Sequence, residues 1–205
     1  MLQSDSRNLL AISRVAELRL WSQGRSGISE FFAKVLEPGH LSKDARSFVK
    51  AKYRELQSVF LLDASQNLYL QAKQRAVVSD LAGALEHVGR AEASEPGQLL
   101  VLEYKAELQR QLGSWDAYLA SLRQVHTSFP FDPANISSLA EAQFYHSEFS
   151  EVGNTLAQLD EPLNLAQQCL RLAASVEEGK GSEILGSLRS IALDRRLGDK
   201  VPPIL

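Results

Sequence analysis

The sequence predicts an all-α protein built from stacked antiparallel helical hairpins, and three observations carry that prediction. Apolar residues recur at three- and four-residue steps between turn signals instead of alternating. Turn signals fall at residues 24–27, 38–39, 96–97, 130–133, 162 and 179–181, where glycine and proline cluster. Pro96 and Pro130 stand 34 residues apart, and Ala84, Val88 and Ala91 precede the first as Tyr118, Leu122 and Val125 precede the second. A period of that length marks a repeat architecture, in which no unit can bury its apolar face alone.

The elements follow in order. Leu9, Val15, Leu18 and Trp21 mark a first helix, residues 28–35 a second and residues 45–56 a third. Residues 58–70, SVFLLDASQNLYL, admit a hairpin around 64–66. The flanking patterns are helical and no third strand is evident to stabilise a sheet, so the segment reads as helix, break, helix.

From Asn67 the hairpins are regular, pairing 67–78 with 80–93, 98–112 with 115–128, 134–145 with 148–159, and 163–176 with 182–193. Gly113 ends one helix and Ser114 is placed to cap the next. Asp132-Pro133 supplies a capping carboxylate followed by the residue best tolerated in a first turn. The polar connector EEGKG separates the last pair, and the tail GDKVPPIL reads as irregular. The expected organisation is an N-terminal helical region over 1–62, helical repeats over 63–195 and an irregular tail over 196–205.

Composition excludes several classes. With 44% apolar and 23% charged residues the content is that of a globular domain, and a net charge of -3 argues against a wholesale polyanion binder. The single cysteine, Cys169, can form no internal disulfide and no zinc site by itself, and its apolar run with Leu165 and Leu172 reads as small core packing. No stretch approaches the roughly 20 apolar residues of a membrane-spanning helix. The start MLQSDSRNLL lacks the charged and then apolar pattern of a secretory signal. A cytoplasmic location is expected, with a membrane-anchored or exported form the alternative.

Chemistry-bearing motifs are absent from the pattern. His40, His87, His126 and His146 show no metal-ligand spacing with one another or with Cys169. No Gly-rich phosphate loop or nucleophile turn occurs, and the nearest candidate, Glu178-Gly-Lys-Gly-Ser182, has too few residues between its glycines. No cofactor, metal or catalytic set is expected, and an enzyme is the least expected reading.

Residues 67–159 resemble tetratricopeptide (TPR) repeats. One unit matches through Ala72, Leu81, Ala84, Leu85, Val88, Ala91 and Pro96, and the next through Leu102, Ala106, Gly113, Trp115, Leu122, Val125 and Pro130. A third matches through Ile136, Leu139, Ala140, Phe149, Val152, Leu156 and Leu159. Lys105, Gln109 and Tyr118 depart from the family's usual residues. The resemblance implies a right-handed superhelix whose first helices line a concave groove. It directs Leu100, Glu103, Glu107 and Arg110 of one unit, and Ala134, Ser137, Glu141 and Phe144 of the next, towards that groove.

The implied groove is acidic with apolar patches and lacks the Lys, Arg and Asn residues that grip a peptide carboxylate in this family, so a basic or apolar segment is the expected partner. Glu103, Glu107, Arg110 and Glu141 would orient it, with Phe144 as the aromatic anchor. Trp115 and the other aromatic residues are expected to pack between helices.

Charge is uneven along the chain. Residues 1–54 hold ten Lys or Arg against five Asp or Glu, and residues 95–162 hold three against ten. Opposite signs imply either an internal contact or two different partners. Lys43, Arg46, Lys50 and Arg54 recur at three- and four-residue steps as a basic stripe, either a solvated face or a docking strip for an acidic partner. Phe48 and Tyr53 sit off that stripe and are expected to pack inward, so base stacking and specific nucleic-acid binding are not supported.

The leading expectation is a non-enzymatic interaction module holding a peptide or partner helix. Two other readings stay open: a regulatory protein with a small α/β ligand-sensing unit over residues 1–70, and a structural subunit of a larger complex.

Overall fold

The computed structural model describes residues 2–37, 41–159 and 162–180 and divides into two units, Met1–Asn135 and Ile136–Leu205. Among the described residues the elements are α1 (Leu2–Val35), α2 (Lys43–Gln57), α3 (Asp63–Val77), α4 (Leu81–Ser94), α5 (Leu99–Gln111), α6 (Trp115–Ser128), α7 (Pro133–Tyr145), α8 (Phe149–Leu156) and α9 (Leu165–Glu177), with no strand. The fold is all-α among the described residues, with α1 packing on α2, α3 on α4, α4 on α5, α5 on α6 and α8 on α9 as sequence neighbours. The expected helix 182–193, the tail 196–205 and the turn residues Pro38, Gly39 and His40 lie outside the described residues.

One turn recurs through the regular hairpins with the period of the sequence. Ser79, Gly113 and Ser147 hold φ of 63°, 69° and 61°, each 34 residues from the next. The amide of the following residue donates back to the first helix at each turn: Asp80 to the Arg75 carbonyl at 3.0 Å, Ser114 to Gln109 at 2.9 Å and Glu148 to Gln143 at 2.9 Å. These bonds satisfy carbonyls that the helix end leaves open, and the left-handed residue reverses the chain. Gly179, at φ 78°, ends α9 with the same bond, Lys180 to Ser175 at 3.0 Å.

Caps fix the helix starts. Ser42 accepts from Ala45 at 3.3 Å, Asp80 from Gly83 at 2.9 Å and Gln98 from Val101 at 2.9 Å. Asn164 and Gln167 form a reciprocal capping box on α9. Ser114 occupies the cap position of α6 without making a side-chain cap bond. Asp80 caps α4 from the same backbone angles, φ -84° and ψ 70°, so the difference lies in the side chain: the carboxylate is one atom longer than the Ser114 hydroxyl.

α1 breaks at Gly24, whose φ of 68° and ψ of -160° belong to a region open essentially to glycine alone. An added Cβ would meet nothing within 4 Å there, so the backbone conformation itself is what excludes other residues. The break lets both halves of α1 pack on α2. Ala16, Leu20, Ile28, Phe32 and Leu36 join Val49, Tyr53 and Leu56 of α2, Leu99 and Leu102 of α5, and Val125 and Phe129 in one core. A second core joins Ala72, Ala84, Val88, Ala91, Val101 and Leu108, so α5 contributes to both. Each large side chain buried in this way contributes about 1.5–3 kcal/mol.

The connector between α2 and α3 is held by polar side chains from distant positions. Arg25 donates to the Gln57 carbonyl at 2.7 Å, to the Val59 carbonyl at 2.5 Å and to the Glu95 carboxylate. Glu95 accepts from the Leu61 and Leu62 amides at 3.0 and 3.2 Å, and Gln98 donates to the Ser58 carbonyl at 2.8 Å. Residues 58–62 are therefore a loop and α3 begins at Asp63, so this segment contributes no strand to an α/β sensing unit.

In the second unit Ala140, Val152, Leu156 and Ala174 form the core, with Thr155 donating to Gln143 at 2.8 Å beside it. Several sequence expectations of burial fail. Trp115 is 56% exposed and Trp21 70%, and Phe48 is also exposed while Tyr53 is buried. Trp115 finds only Tyr118 among the described rings, 6.1 Å away on its own helix. Cys169 is exposed as well: α9 turns Leu172 and Ala174 inward.

Candidate partner-binding face

The 34-residue register links two helices of the first unit. Stepping back 34 positions from Glu103 and Glu107 gives Tyr69 and Lys73, which hold the same places on α3. The fold brings these residues together. The Tyr69 and Tyr104 rings meet edge to face with centroids 5.6 Å apart, and Phe60 backs Tyr69 at 5.4 Å. The Lys73 ammonium lies 3.9 Å from the Tyr104 ring centroid and 5.5 Å from that of Tyr69, both within cation–π range. Burial raises both tyrosine hydroxyls above their ordinary pKa, with Glu103 and Glu107 adding to the effect.

Glu107 and Glu103 share the α5 face and differ in chemistry. Glu107 accepts two bonds from Arg110, each 2.9 Å, and one from Gln111 at 2.6 Å. The Arg110 bond is the main cause holding its carboxyl below the usual range. Glu103 is more enclosed: burial pushes its carboxyl up, and the Arg54 guanidinium opposes that push without overcoming it. Arg54 donates to Glu103 at 2.6 Å and to Asp132 at 3.2 Å while lying 5.6 Å over the Phe129 ring.

The acidic face expected from the sequence is thus compensated by cations of the same chain. Glu103 holds α2 rather than presenting a bare charge. The basic stripe is likewise drawn inward at one end. Lys50 lies 5.3 Å over the Phe131 ring, Arg46 donates to the Glu37 carbonyl at 3.4 Å, and Lys43 is exposed at the start of α2. Of the two meanings of the uneven charge, the internal contact is present in Arg25–Glu95, Arg54–Glu103 and Arg54–Asp132.

In the second unit Glu141 is exposed on α7. Phe144 is half-buried against Phe149, 5.4 Å away, at the edge of the core. Its neighbour Tyr145 is 75% exposed. Among the described residues no group of three or more His, Cys, Asp or Glu is placed to hold a metal ion. No described helix is long and apolar enough to cross a membrane.

The site residues that sequence reasoning missed are Tyr69, Lys73 and Tyr104. The 34-residue offset from Glu103 and Glu107 pointed to the first two. Tyr104 carried no such signal, since it lies beside the positions that the repeat pattern directs into the groove.

No family model matches the sequence, and no curated protein matches it. Among solved structures the chain is similar to a chain in the structure of Naa15/Naa10 bound to HypK-THB. The two are 14% identical with a TM-score of 0.53 over 92% of this chain. This chain spans about a third, 32%, of the length of that one. At this identity the likeness shows a shared helical fold.

Proposed function

We propose that this chain is a non-enzymatic protein-interaction module that holds a segment of a partner protein on the face formed by α3 and α5. The observation that carries this reading is the convergence of Tyr69, Lys73, Tyr104 and Glu107 from two repeats onto one partly exposed surface. Aromatic rings backed by a core, with charges at their rim, match the composition of protein-binding hot spots. The similar solved structure is an assembly, Naa15/Naa10 bound to HypK-THB, which supports a scaffold reading.

The test compares capture of partners by the wild-type chain and by a Glu107→Lys, Arg110→Glu variant. Both positions lie at the surface, so the variant is expected to keep wild-type helicity and melting temperature. A protein retained by wild type and lost by this folded variant supports the α3–α5 face. Equal retention by both moves the binding surface elsewhere.

A second reading, a subunit of a larger assembly, is favoured by α1. Its first half buries Ala16 and Leu20 on one side and exposes Leu10, Val15, Leu18 and Trp21 on the other. A helix apolar on both sides is characteristic of one that is covered on both sides. Loss of partner retention in a Leu18→Ser, Trp21→Ser variant, with the α3–α5 variant unaffected, would favour this reading.

A further inference from the structure

We infer that the Tyr69–Tyr104 pair is a receptor for a lysine or arginine side chain of the partner, and that Lys73 fills it in the free chain as a built-in competitor. The inference rests on the α3–α5 face being the binding face and adds what that face selects.

Three features support it. First, the pair already holds a cation. The Lys73 ammonium sits 3.9 Å from one ring centroid and 5.5 Å from the other, so the geometry suits an alkylammonium or guanidinium group. Second, the rings are fixed before binding. Phe60 backs Tyr69, the two tyrosines brace each other at 73°, and both pack on the core of Ala72, Val88, Val101 and Leu108. A receptor fixed in this way orders little when it binds. Third, the resident cation is loosely held. Lys73 is exposed, and Glu107, the carboxylate that feels its charge, receives its hydrogen bonds from Arg110 and Gln111 instead. An incoming basic side chain would replace one ring contact with another of the same kind, and the released Lys73 would regain full hydration.

Competition sets the expected signs. Removing Lys73 should strengthen binding of a basic probe, whereas removing the ring faces should weaken it. The experiment titrates the full chain with a nona-arginine peptide while following the ring resonances of Tyr69 and Tyr104 by NMR. With Lys73→Ala, affinity is expected to rise roughly twofold to fivefold, the size of an exposed cation–π contact. With Tyr104→Leu, which keeps the apolar packing, affinity is expected to fall, and the gain from Lys73→Ala should disappear in the double variant.

Arg75→Ala serves as the charge control, removing one cation from the same helix away from the rings. Gains of equal size from Arg75→Ala and Lys73→Ala would mean that net charge alone is responsible and would overturn the inference. So would peptide binding without movement of either ring resonance, or a Lys73→Ala gain that survives Tyr104→Leu. A partner captured through Glu107 whose binding ignores Lys73 and Tyr104 would leave the interaction module standing and remove the cation receptor. Ring-dependent binding of the peptide with no Glu107-dependent partner would do the reverse.

Discussion

Arg54 of α2 donates to Glu103 of α5 at 2.6 Å and so ties the basic N-terminal helices to the acidic repeats. The same guanidinium reaches Asp132 at 3.2 Å, which makes one side chain the bridge between three segments distant in sequence. Arg54 is 40% exposed, so solvent screens the pair. Arg54→Ala is expected to cost about 1 kcal/mol. Glu103→Lys should cost more, because it faces Arg54 with a like charge, and Arg54→Glu combined with Glu103→Arg should recover part of the loss. Urea denaturation of the four chains measures the coupling. Loss of partner binding in a Glu103→Lys chain would therefore report on folding as much as on recognition.

The same site gives a pH dependence of unusual sign. Burial raises the Glu103 carboxyl above its ordinary value, so the folded chain takes up that proton more readily than the unfolded one. The contribution of Glu103 to stability accordingly falls as pH rises through the interval between its unfolded and folded values. Asp80 behaves oppositely. The Gly83 amide, and then Arg75, hold its carboxyl below the ordinary range, so its stabilising contribution is present above the unfolded value and is lost as pH falls through the folded one. Denaturation across the acid range should show Glu103→Gln reducing the loss of stability on raising pH, and Asp80→Asn reducing the loss on lowering it.

A larger effect is expected at the pair beside the α1 break. Arg25 and Glu95 have side chains only 10% and 6% exposed, and Glu95 also receives the amides of Leu61 and Leu62. Removing one member leaves an uncompensated buried charge and an unsatisfied connector. Glu95→Ala is expected to destabilise the chain by about 3–5 kcal/mol, measured as a lowered urea midpoint. Protection of the Leu61 and Leu62 amides from hydrogen exchange should be lost in the same variant.

These three predictions also mark what the sequence disclosed. Helix positions were legible because apolar spacing and turn chemistry are local: Gly113, Asp132-Pro133 and the Trp115 start of α6 all fall where the pattern puts them. Burial of single residues was less legible. Trp115 and Cys169 depend on which neighbour covers a given helix face, and a one-helix pattern does not encode that. The charge asymmetry was visible as a count, but its meaning required Arg54 to lie beside Glu103, which stands 49 residues away. Tyr69 and Lys73 were within reach through the 34-residue register, yet the meeting of their side chains with Tyr104 depends on how α3 and α5 lie together.

The repeated turn supplies a last prediction with two opposite signs. Ser79, Gly113 and Ser147 share one left-handed conformation, with φ between 61° and 69°. An L-residue held there costs about 1–2 kcal/mol relative to glycine, partly offset by the extra chain entropy that glycine brings to the unfolded state. Gly113→Ala should therefore destabilise, since an added Cβ meets nothing within 4 Å and only the backbone resists it. Ser79→Gly and Ser147→Gly should each stabilise by about 0.5–1 kcal/mol. For Ser79→Gly this is about a 2 °C rise in melting temperature, and for Ser147→Gly it should appear as slower amide exchange in α7 and α8. A loss of stability in both serine variants would mean that the serine side chains make contributions that outweigh the backbone cost. A gain in both would show that the period read from Pro96 and Pro130 carries the same backbone requirement into each hairpin, whatever residue occupies it.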